Sequence, residues 1–542
     1  MSLNILIVVP ALRKKVSFYP PFGAMSVIAA AREENHNAQL LDLDARRCSI
    51  NEAIESIMEF SPDVVGISAV VATSYKYVKD LTKLIREQFP NVVIVVGGGL
   101  AAAGEILLQN SCVDFLVHGE GEITFKELIK NIENGSSYES VNGISYKENG
   151  KVIKNDPRPT IKELDLLPFP DYELIDLNKY ILNIHEFLKT GYGEASKIDK
   201  RVSESNRPEN FLRINISRGC VNKCTFCYRN MPGIRINSME YIGNLIEHVT
   251  IKYNIGHISF ADECFGPTKR WLWGFVDMIK KRGFDLTYHI TGMRVRIVDL
   301  EIMKALKELG VWHIQFGFES GSQKILNIME KNTTVEQNIS AALFCKEVGI
   351  NTIPFIIIGY PGETIETLYE TIDFLKRADL LSQNFRPNFP LAIPGTPLFE
   401  YAKLKGFITD TDKYLETISD TEANELTEDN YFINYTQEPT SDVMAWMILI
   451  KKEVNKYFGN SLSFSEIIQR VFREINEHGV VNTISFIFKS LIYKVSSGKI
   501  KRRYNHDFPR KDCSEEENTY LINNGESLRV INKRLKGSKK GC

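Results

Sequence analysis

Three cysteines, Cys220, Cys224 and Cys227, stand in a C-x3-C-x2-C pattern within Arg218-Gly-Cys-Val-Asn-Lys-Cys-Thr-Phe-Cys-Tyr228. Thiols grouped this closely in a long chain point to a metal rather than to a disulfide. A structural zinc site closes with four protein ligands, and a cubane iron–sulfur cluster has four iron corners to be held. Here only three thiols are local, and the next, Cys264, lies far downstream. Three thiolates on a cubane leave one iron open to a substrate or cofactor. The competing readings are a zinc knuckle short of a ligand and three thiols that merely lie together. The stretch Phe211–Ser217 just ahead reads as a short buried strand. The cysteines therefore fall in a loop leaving a strand end, where α/β proteins place their chemistry.

The elements that must position this loop repeat as strand then helix. Strands are predicted at His257–Phe260, Asp285–Ile290, Trp312–Gly317, Thr352–Ile358 and Asn384–Leu391, with helices between them. With the first strand this makes six βα units, too few to close an eight-fold barrel. Polar residues follow the strand ends: Asp262 and Glu263, Arg294 and Arg296, then Glu319 and Ser320. Each charge alone reads more readily as a solvated position or a structural ion pair than as part of a site. Cys264 reads as a small buried thiol, and Cys48, Cys112, Cys345, Cys513 and Cys542 have no partner spacing.

The N-terminal third alternates Val/Ile-rich strands with helical patterns: Ile5–Val9, Asp63–Ser68, Val92–Gly99 and Asp114–Val117 are the strands. Near-continuous apolar strands of this kind belong to a parallel sheet covered on both faces, and such doubly wound domains bind ligands at the carboxyl ends of their strands. Gly97-Gly98-Gly99 is a candidate close-approach loop. No G-x-G-x-x-G follows the first strand, so a dinucleotide site is poorly supported.

Taken together, the cysteine motif with Phe226 before its third thiol, the segments Phe-Gly-Phe-Glu-Ser-Gly and Ile-Ile-Gly-Tyr-Pro-Gly-Glu-Thr, and the loop Ile393–Leu398 resemble the radical SAM enzymes. That resemblance implies a [4Fe–4S] cluster on Cys220, Cys224 and Cys227, with S-adenosylmethionine (SAM) on the open iron, and a partial (β/α)6 barrel. It also implies SAM contacts from Phe226, Asp262 or Glu263, Arg294 or Arg296, Glu319, Ser320, Ile357 and Gly359. No catalytic residue is assigned beyond the cluster. Tyr19-Pro-Pro-Phe-Gly23, Gly97-Gly98 and Val117-His-Gly-Glu-Gly-Glu122 resemble the cobalamin-binding domain that precedes many radical SAM cores. Ser68, Ala69, Ser74, Gly97, Gly98, Gly99, His118, Gly119 and Glu120 are then the implied cobalamin contacts. The Asp-x-His-x-x-Gly motif is absent and no histidine precedes His36, so no histidine is expected beneath cobalt; a decayed domain without cobalamin is the alternative.

The expected activity is that of a cobalamin-dependent radical SAM enzyme, methylating an unactivated carbon of a small-molecule or natural-product substrate, with an external electron donor such as flavodoxin or ferredoxin. A cyclase or oxidase without methyl transfer is the alternative within the family; a non-catalytic iron–sulfur or zinc protein is the alternative outside it. Among 542 residues, 43% are hydrophobic and 25% charged, and the net charge of −2 gives no reason to expect nucleic acid. Nine cysteines spread through the chain are not a disulfide scaffold. No leader and no apolar run near about 18 residues is seen, so a reducing cytoplasm is expected.

The expected division is a cobalamin-binding domain over 1–140, a connector over 141–205 with a hairpin around Asn149-Gly150, and a radical SAM core over 206–407. A helical region over 408–500 and a flexible basic tail over 501–542 follow. Val443–Tyr457 and Val481–Val495 are the clearest helices of the C-terminal region; they read as a cap on the barrel mouth, with peripheral membrane contact as the functional alternative.

Overall fold

The structure is a computed structural model that describes residues 2–11, 17–189, 200–203, 206–229, 231–380, 387–419, 432–457 and 525–538. Its first sheet takes strands β1 (Asn4–Val9), β2 (Asn37–Asp42), β3 (Val64–Ser68), β4 (Val93–Gly97) and β5 (Phe115–Val117), then β6 (Ile144–Glu148) and β7 (Lys151–Lys154), in the order β2-β1-β3-β4-β5-β6-β7. The strands are parallel from β2 to β5. Ile, Leu and Val fill both faces of β1, β3 and β4, and helices cover each face. The order reverses at β1, so the cleft beyond the carboxyl ends of β1 and β3 is the place such a sheet offers a ligand.

The hairpin expected around Asn149-Gly150 forms as β6 and β7. It does not belong to a connector, because β6 pairs with β5 and Tyr146 packs on Phe115 and Tyr138. The N-terminal sheet thus runs to Lys154, past the boundary expected at 140.

The second sheet has the order β15-β14-β13-β12-β9-β8, from β8 (Leu182–Asn183), β9 (Asn210–Ile214), β12 (His257–Phe260), β13 (Thr287–Met293), β14 (Val311–Glu319) and β15 (Phe355–Ile356). From β9 to β15 the strands are parallel, and β8 closes the β9 edge antiparallel. Leu212, Ile214, Ile258, Phe260, Tyr288, Ile290, Phe316 and Phe318 turn to the helix-covered side and form one core with Leu272, Phe275, Leu306 and Leu368. The curl is that of an open half-barrel.

Two strand expectations need correction. Phe211–Ser217 is not one strand: β9 stops at Ile214, and β10 (Ser217–Cys220) leaves the sheet to pair antiparallel with β11 (Gly233–Ile236). No sixth parallel strand forms over the described part of 384–391; Asn388 makes an isolated bridge to Ile357. Pro387, Pro390 and Pro394 remove the donors a central strand needs, and residues 381–386 lie outside the described set.

The C-terminal region is not only a barrel cap. The helix Thr411–Ser419 buries Leu415 and Ile418 in the N-terminal core, and Lys79 pairs with Asp412 at 3.0 Å and Glu416 at 2.9 Å. The expected helix at Val443–Tyr457 lies within Thr440–Tyr457 and packs Val443, Trp446, Leu449 and Ile450 on the barrel core. Val481–Val495 lies outside the described residues. Part of the tail expected to be flexible is the helix Leu528–Ser538, which buries Leu528 and Ile531 against Leu398 and Ala402. Apolar residues three and four apart hold it down despite its basic outer face. No helix among the described residues is long and apolar enough to cross a membrane.

Candidate active site

The cysteine loop is built from two anchors. Asp262, at the end of β12, accepts through Oδ1 from Ile216 N at 3.0 Å, Ser217 N at 2.7 Å and Ser217 Oγ at 2.6 Å. These bonds fix the turn where the chain leaves β9 for β10. Burial outweighs them and pushes the Asp262 carboxyl up to about 6. Further on, Thr225 donates from N to Met329 O at 2.9 Å, and its Oγ1 lies 3.1 Å from Ile328 O and 2.8 Å from Tyr360 Oη. Between the anchors Cys224 is buried, Cys220 half-buried and Cys227 exposed.

Among the described residues no group of three Cys, His, Asp or Glu side chains is placed to hold a single metal ion. Burial raises Cys224 and pushes Cys227 up to about 12, with Lys331 opposing the rise at both; only Cys220 is lowered, to about 6. Cys264, buried behind the loop, shares a hydrogen bond with Cys220 that lowers the Cys220 pKa.

Glu319 ends β14 with φ at 62°, in the left-handed region, and is 9% exposed. Its Oε1 is 2.7 Å from Lys331 Nζ. Burial opposes the Lys331 charge, but Glu319 and the cysteines raise its pKa and keep it an ammonium. The pair needs Gly317 beneath it: a Cβ there would lie 2.3 Å from Glu319 Oε1 and 2.8 Å from Lys331 Nζ. A non-glycine left-handed residue beside reactive groups is a strained feature of the kind that clusters at functional sites. Sequence reasoning missed Lys331, which looks like an ordinary basic residue after a helix; only the fold turns it toward Glu319 and the thiols.

The remaining predicted contacts separate. Glu263 is exposed and lies near the loop: partial loss of water around it raises its pKa, and Cys220 raises it further. Asp262 has Oδ1 committed to the backbone, and its Oδ2 is buried without a hydrogen-bond partner among the described residues. Arg294 donates to Pro267 O, lies near Cys220 and Cys264, and has a buried Nε with no described partner. Arg296 instead points outward, exposed, to Asn332 Oδ1 at 2.9 Å. Ser320 is fully buried and bonded to Ser322 N at 3.1 Å, with Thr371 Oγ1 at 3.3 Å. Ile357 packs with Phe226 against the cluster containing Tyr360, and the Phe226 and Tyr360 rings meet edge to face at 6.3 Å. The Arg294 guanidinium and the Glu263 carboxylate near the thiols suit the carboxylate and amino groups of an amino-acid cofactor such as SAM.

Gly359 has φ at 81°, and its N–H donates to Glu363 Oε2, as does Tyr360 N at 3.2 Å. Burial pushes the Glu363 carboxyl from 4.5 up to about 8, against the pull of those two donors. The folded chain therefore binds this proton more tightly than the unfolded chain, and its stabilising effect is full below about pH 4.5 and lost as pH rises through about 8. Glu363→Gln keeps an acceptor for Gly359 and should flatten the fall in melting temperature between pH 6 and 9. Identical pH slopes for variant and wild type would exclude this role.

The N-terminal sheet presents its ligand edge to this loop. Ala69 N donates to Gly97 O at 2.9 Å and Leu100 N to Ala69 O at 3.0 Å. The two loops approach so closely that a Cβ on Gly98 would lie 2.6 Å from Ala69 O, and one on Gly99 2.2 Å from Val70 O. Val70 is 58% exposed, and Tyr19 and Val71 are also exposed, which leaves apolar surface at the edge for a large flat ligand to cover. Ser68 ends β3, and Ser74 turns its hydroxyl inward to Val71 O at 2.6 Å. His118 Nε2 is 2.8 Å from Ser145 Oγ, and burial lowers its pKa to about 4, so it is a neutral residue tied to β6. Gly119, at φ 77°, turns the chain.

Glu120 does something the sequence did not reveal. It pairs with Arg218 at 2.9 Å and Arg235 at 2.6 Å, while Glu122 pairs with Arg218 at 2.7 Å. Glu120 also accepts from Ile161 N at 2.7 Å. Both oxygens are thus spent joining the N-terminal domain to the β10–β11 hairpin that carries Cys220. Arg218→Met would leave two buried carboxylates short of a partner, so unfolding free energy should fall by about 3 kcal/mol. A denaturant titration showing less than about 0.5 kcal/mol of change, the size of an exposed pair, would exclude the clamp.

Comparison with known proteins gives two family matches: the radical SAM superfamily over residues 214–375 and the B12 binding domain over residues 10–129. An uncharacterized methyltransferase of Pyrococcus horikoshii is 32% identical over 410 residues, covering 74% of this chain and 83% of that protein. The anaerobic magnesium-protoporphyrin IX monomethyl ester cyclase of Rubrivivax gelatinosus is 27% identical over 378 residues, covering 68% of this chain and 63% of that one. Among solved structures, the radical S-adenosylmethionine methyltransferase TsrM of Kitasatospora setae superposes with a TM-score of 0.56 at 17% identity, over 74% of this chain and 77% of that one; at that identity the likeness speaks for the fold. With both domains matched in this order, and with a relative of this identity along most of its length, the chain belongs to the radical SAM enzymes that carry an N-terminal B12-binding domain.

Proposed function

We propose that the protein methylates an unactivated carbon of a small-molecule substrate, using a [4Fe–4S] cluster, SAM and cobalamin. The observation that carries the reading is Tyr228. It follows Cys227 directly, and its ring reaches the glycine loop of the other domain: a Cβ on Gly99 would lie 3.8 Å from Tyr228 Cδ1, and one on Gly395 2.9 Å from Cε2. The loop suited to a cluster and the edge suited to a corrin thus abut. When bound, the cluster with SAM supplies a carbon-centred radical able to take hydrogen from the substrate, and cobalamin supplies a methyl group.

The residues have separable tasks in this reading. Cys220, Cys224 and Cys227 hold the cluster. Lys331 pairs with Glu319 and holds its carboxylate in place to accept from the amino or ribose hydroxyl groups of SAM. Arg294 and Glu263 sit where its carboxylate and amino ends would lie, and Phe226 and Ile357 give an apolar wall. Asp262, Thr225 and Tyr360 position the loop rather than touch the ligand. Residues 68–74 and 97–103 take the cobalamin, with His118 remaining on Ser145 rather than under cobalt. Electrons come from an external flavodoxin- or ferredoxin-type donor, in a reducing cytoplasm.

Wild-type protein given its substrate and SAM with a deuterated methyl group should form both S-adenosylhomocysteine and 5′-deoxyadenosine and place the label in product. Deoxyadenosine without label in the product would favour the second reading, cyclisation or oxidation, which the likeness to a cyclase supports. Bound cob(II)alamin should show no nitrogen superhyperfine splitting; a clear splitting would remove the histidine-free assignment.

A further inference from the structure

The half-barrel wall carries a polar row that the cofactor reading does not use. Arg213 on β9, Ser259 on β12, His289 on β13 and His313 on β14 are in register across four strands. Their neighbours Leu212, Ile258, Tyr288 and Ile314 enter the core beneath the outer helices. By strand alternation the row lines the opposite, inner face, the face that carries Glu319 further along β14. Ser259 Oγ is 2.8 Å from His289 Nδ1, and the His289 and His313 rings stack at 4.7 Å.

Arg213 is the anomaly in the row. It is 4% exposed, its Nε is sealed without a hydrogen-bond partner, and no ion pair or hydrogen bond joins its guanidinium to any described residue. Aromatic faces surround it instead: the Tyr19 ring centroid is 4.0 Å from Cζ, and that of Phe187 5.6 Å. Phe187 belongs with Phe211 and Trp312 to an apolar cluster at this end of the wall. Tyr19 comes from the N-terminal domain, on the segment between β1 and the helix Phe22–Glu33. A buried charge is costly unless paired, and aromatic faces offset only part of that cost. The positive potential therefore remains available to an arriving anion. Guanidinium presents two parallel donors in the fork that carboxylate and phosphoryl oxygens fit.

We propose that Arg213 seats an acidic group of the substrate, a carboxylate or a phosphoryl group, with Ser259 beside it and Tyr19 closing over it from the N-terminal domain. This rests on the functional reading above in taking the inner face of the half-barrel as the substrate's place. It names the substrate class: a small acid, bound where the two domains meet.

The test is calorimetric titration of the cluster-loaded, full-length protein with inorganic phosphate and, separately, with acetate at fixed ionic strength. Saturable binding of one anion per chain is expected for at least one of the two, and the preferred anion tells phosphoryl from carboxylate. Arg213→Met should weaken that binding at least tenfold. Arg213→Lys, which keeps the charge but loses the fork, should weaken it severalfold and serves if the Met variant fails to fold. Arg282→Met, on an outer helix where Arg282 pairs with Glu247 at 3.1 Å, should bind as wild type does. Absence of saturable binding of either anion, or equal binding in wild type and both Arg213 variants, would overturn the proposal and leave Arg213 as a latch for Tyr19. Failure of wild-type protein to cleave SAM would sink the functional reading without touching the anion result.

Discussion

Replacing Cys220, Cys224 and Cys227 together with alanine is expected to take iron and sulfide from about four of each per chain, the inventory of a cubane cluster, to background, and to abolish SAM cleavage entirely. The expectation follows from ligand supply. The loop offers three thiols, and Cys264, though hydrogen-bonded to Cys220, is fully buried behind it. Cys264→Ser should therefore keep the cluster. Loss of all three thiols should leave the fold standing, because the loop is held by Thr225 and by the Asp262 contacts to Ile216 and Ser217, not by sulfur. Anaerobic reconstitution followed by iron and sulfide analysis decides it. One tightly held zinc without sulfide in the wild-type chain, or full iron in the triple variant, would sink the assignment.

Glu319→Ala should have the second largest effect. It removes one partner of a buried ion pair, and the Lys331 ammonium is left without it; such truncations cost about 3–5 kcal/mol. Alanine keeps the left-handed backbone strain that glutamate already bears, so the backbone adds no further cost. If about 3 kcal/mol of this appears as lost SAM binding, affinity falls roughly two orders of magnitude, and deoxyadenosine formation under strong reductant falls with it at limiting SAM. The cluster itself should survive. Lys331→Met should mimic the loss, and the double variant should cost less than the two single losses combined, since neither then leaves the other's charge alone. Glu319→Ala protein that binds SAM within about threefold of wild type, less than about 1 kcal/mol, would exclude Glu319 as a contact. Additive losses would instead show that the pair does not act as a unit.

How much of this was legible beforehand depended on whether the physics was local. Apolar Val and Ile runs bounded by turn residues bury themselves wherever the chain goes, so β1, β3, β4, β12 and β14 could be read from composition alone. The cysteine spacing was equally readable, because a cluster takes neighbouring thiols whose distances the loop itself sets. Asn388 shows the limit of periodicity: an apolar stretch reads as a strand, yet three prolines without donors leave only a single bridge.

What the linear order could not reveal is which charges meet. Asp262 and Glu263 are adjacent in sequence and equivalent on paper. Only the turn from β9 to β10 makes Asp262 a backbone clamp and leaves Glu263 facing the thiols. Arg294 and Arg296 divide the same way, one beside Cys220 and the other outward to Asn332. Glu120 turned from an expected ligand contact into an interdomain clamp, because Arg218 and Arg235 reach it across nearly a hundred residues or more of sequence. Lys331 and Arg213 were ordinary basic residues until packing took them out of water. Burial of an apolar run is a property of the run itself, so the sequence determined the central strands of both sheets and the spacing of the cysteines. The energy of a charge depends on distance and on the exclusion of solvent, which are set by elements far apart in the chain, so only the tertiary structure decided the roles of the charged residues.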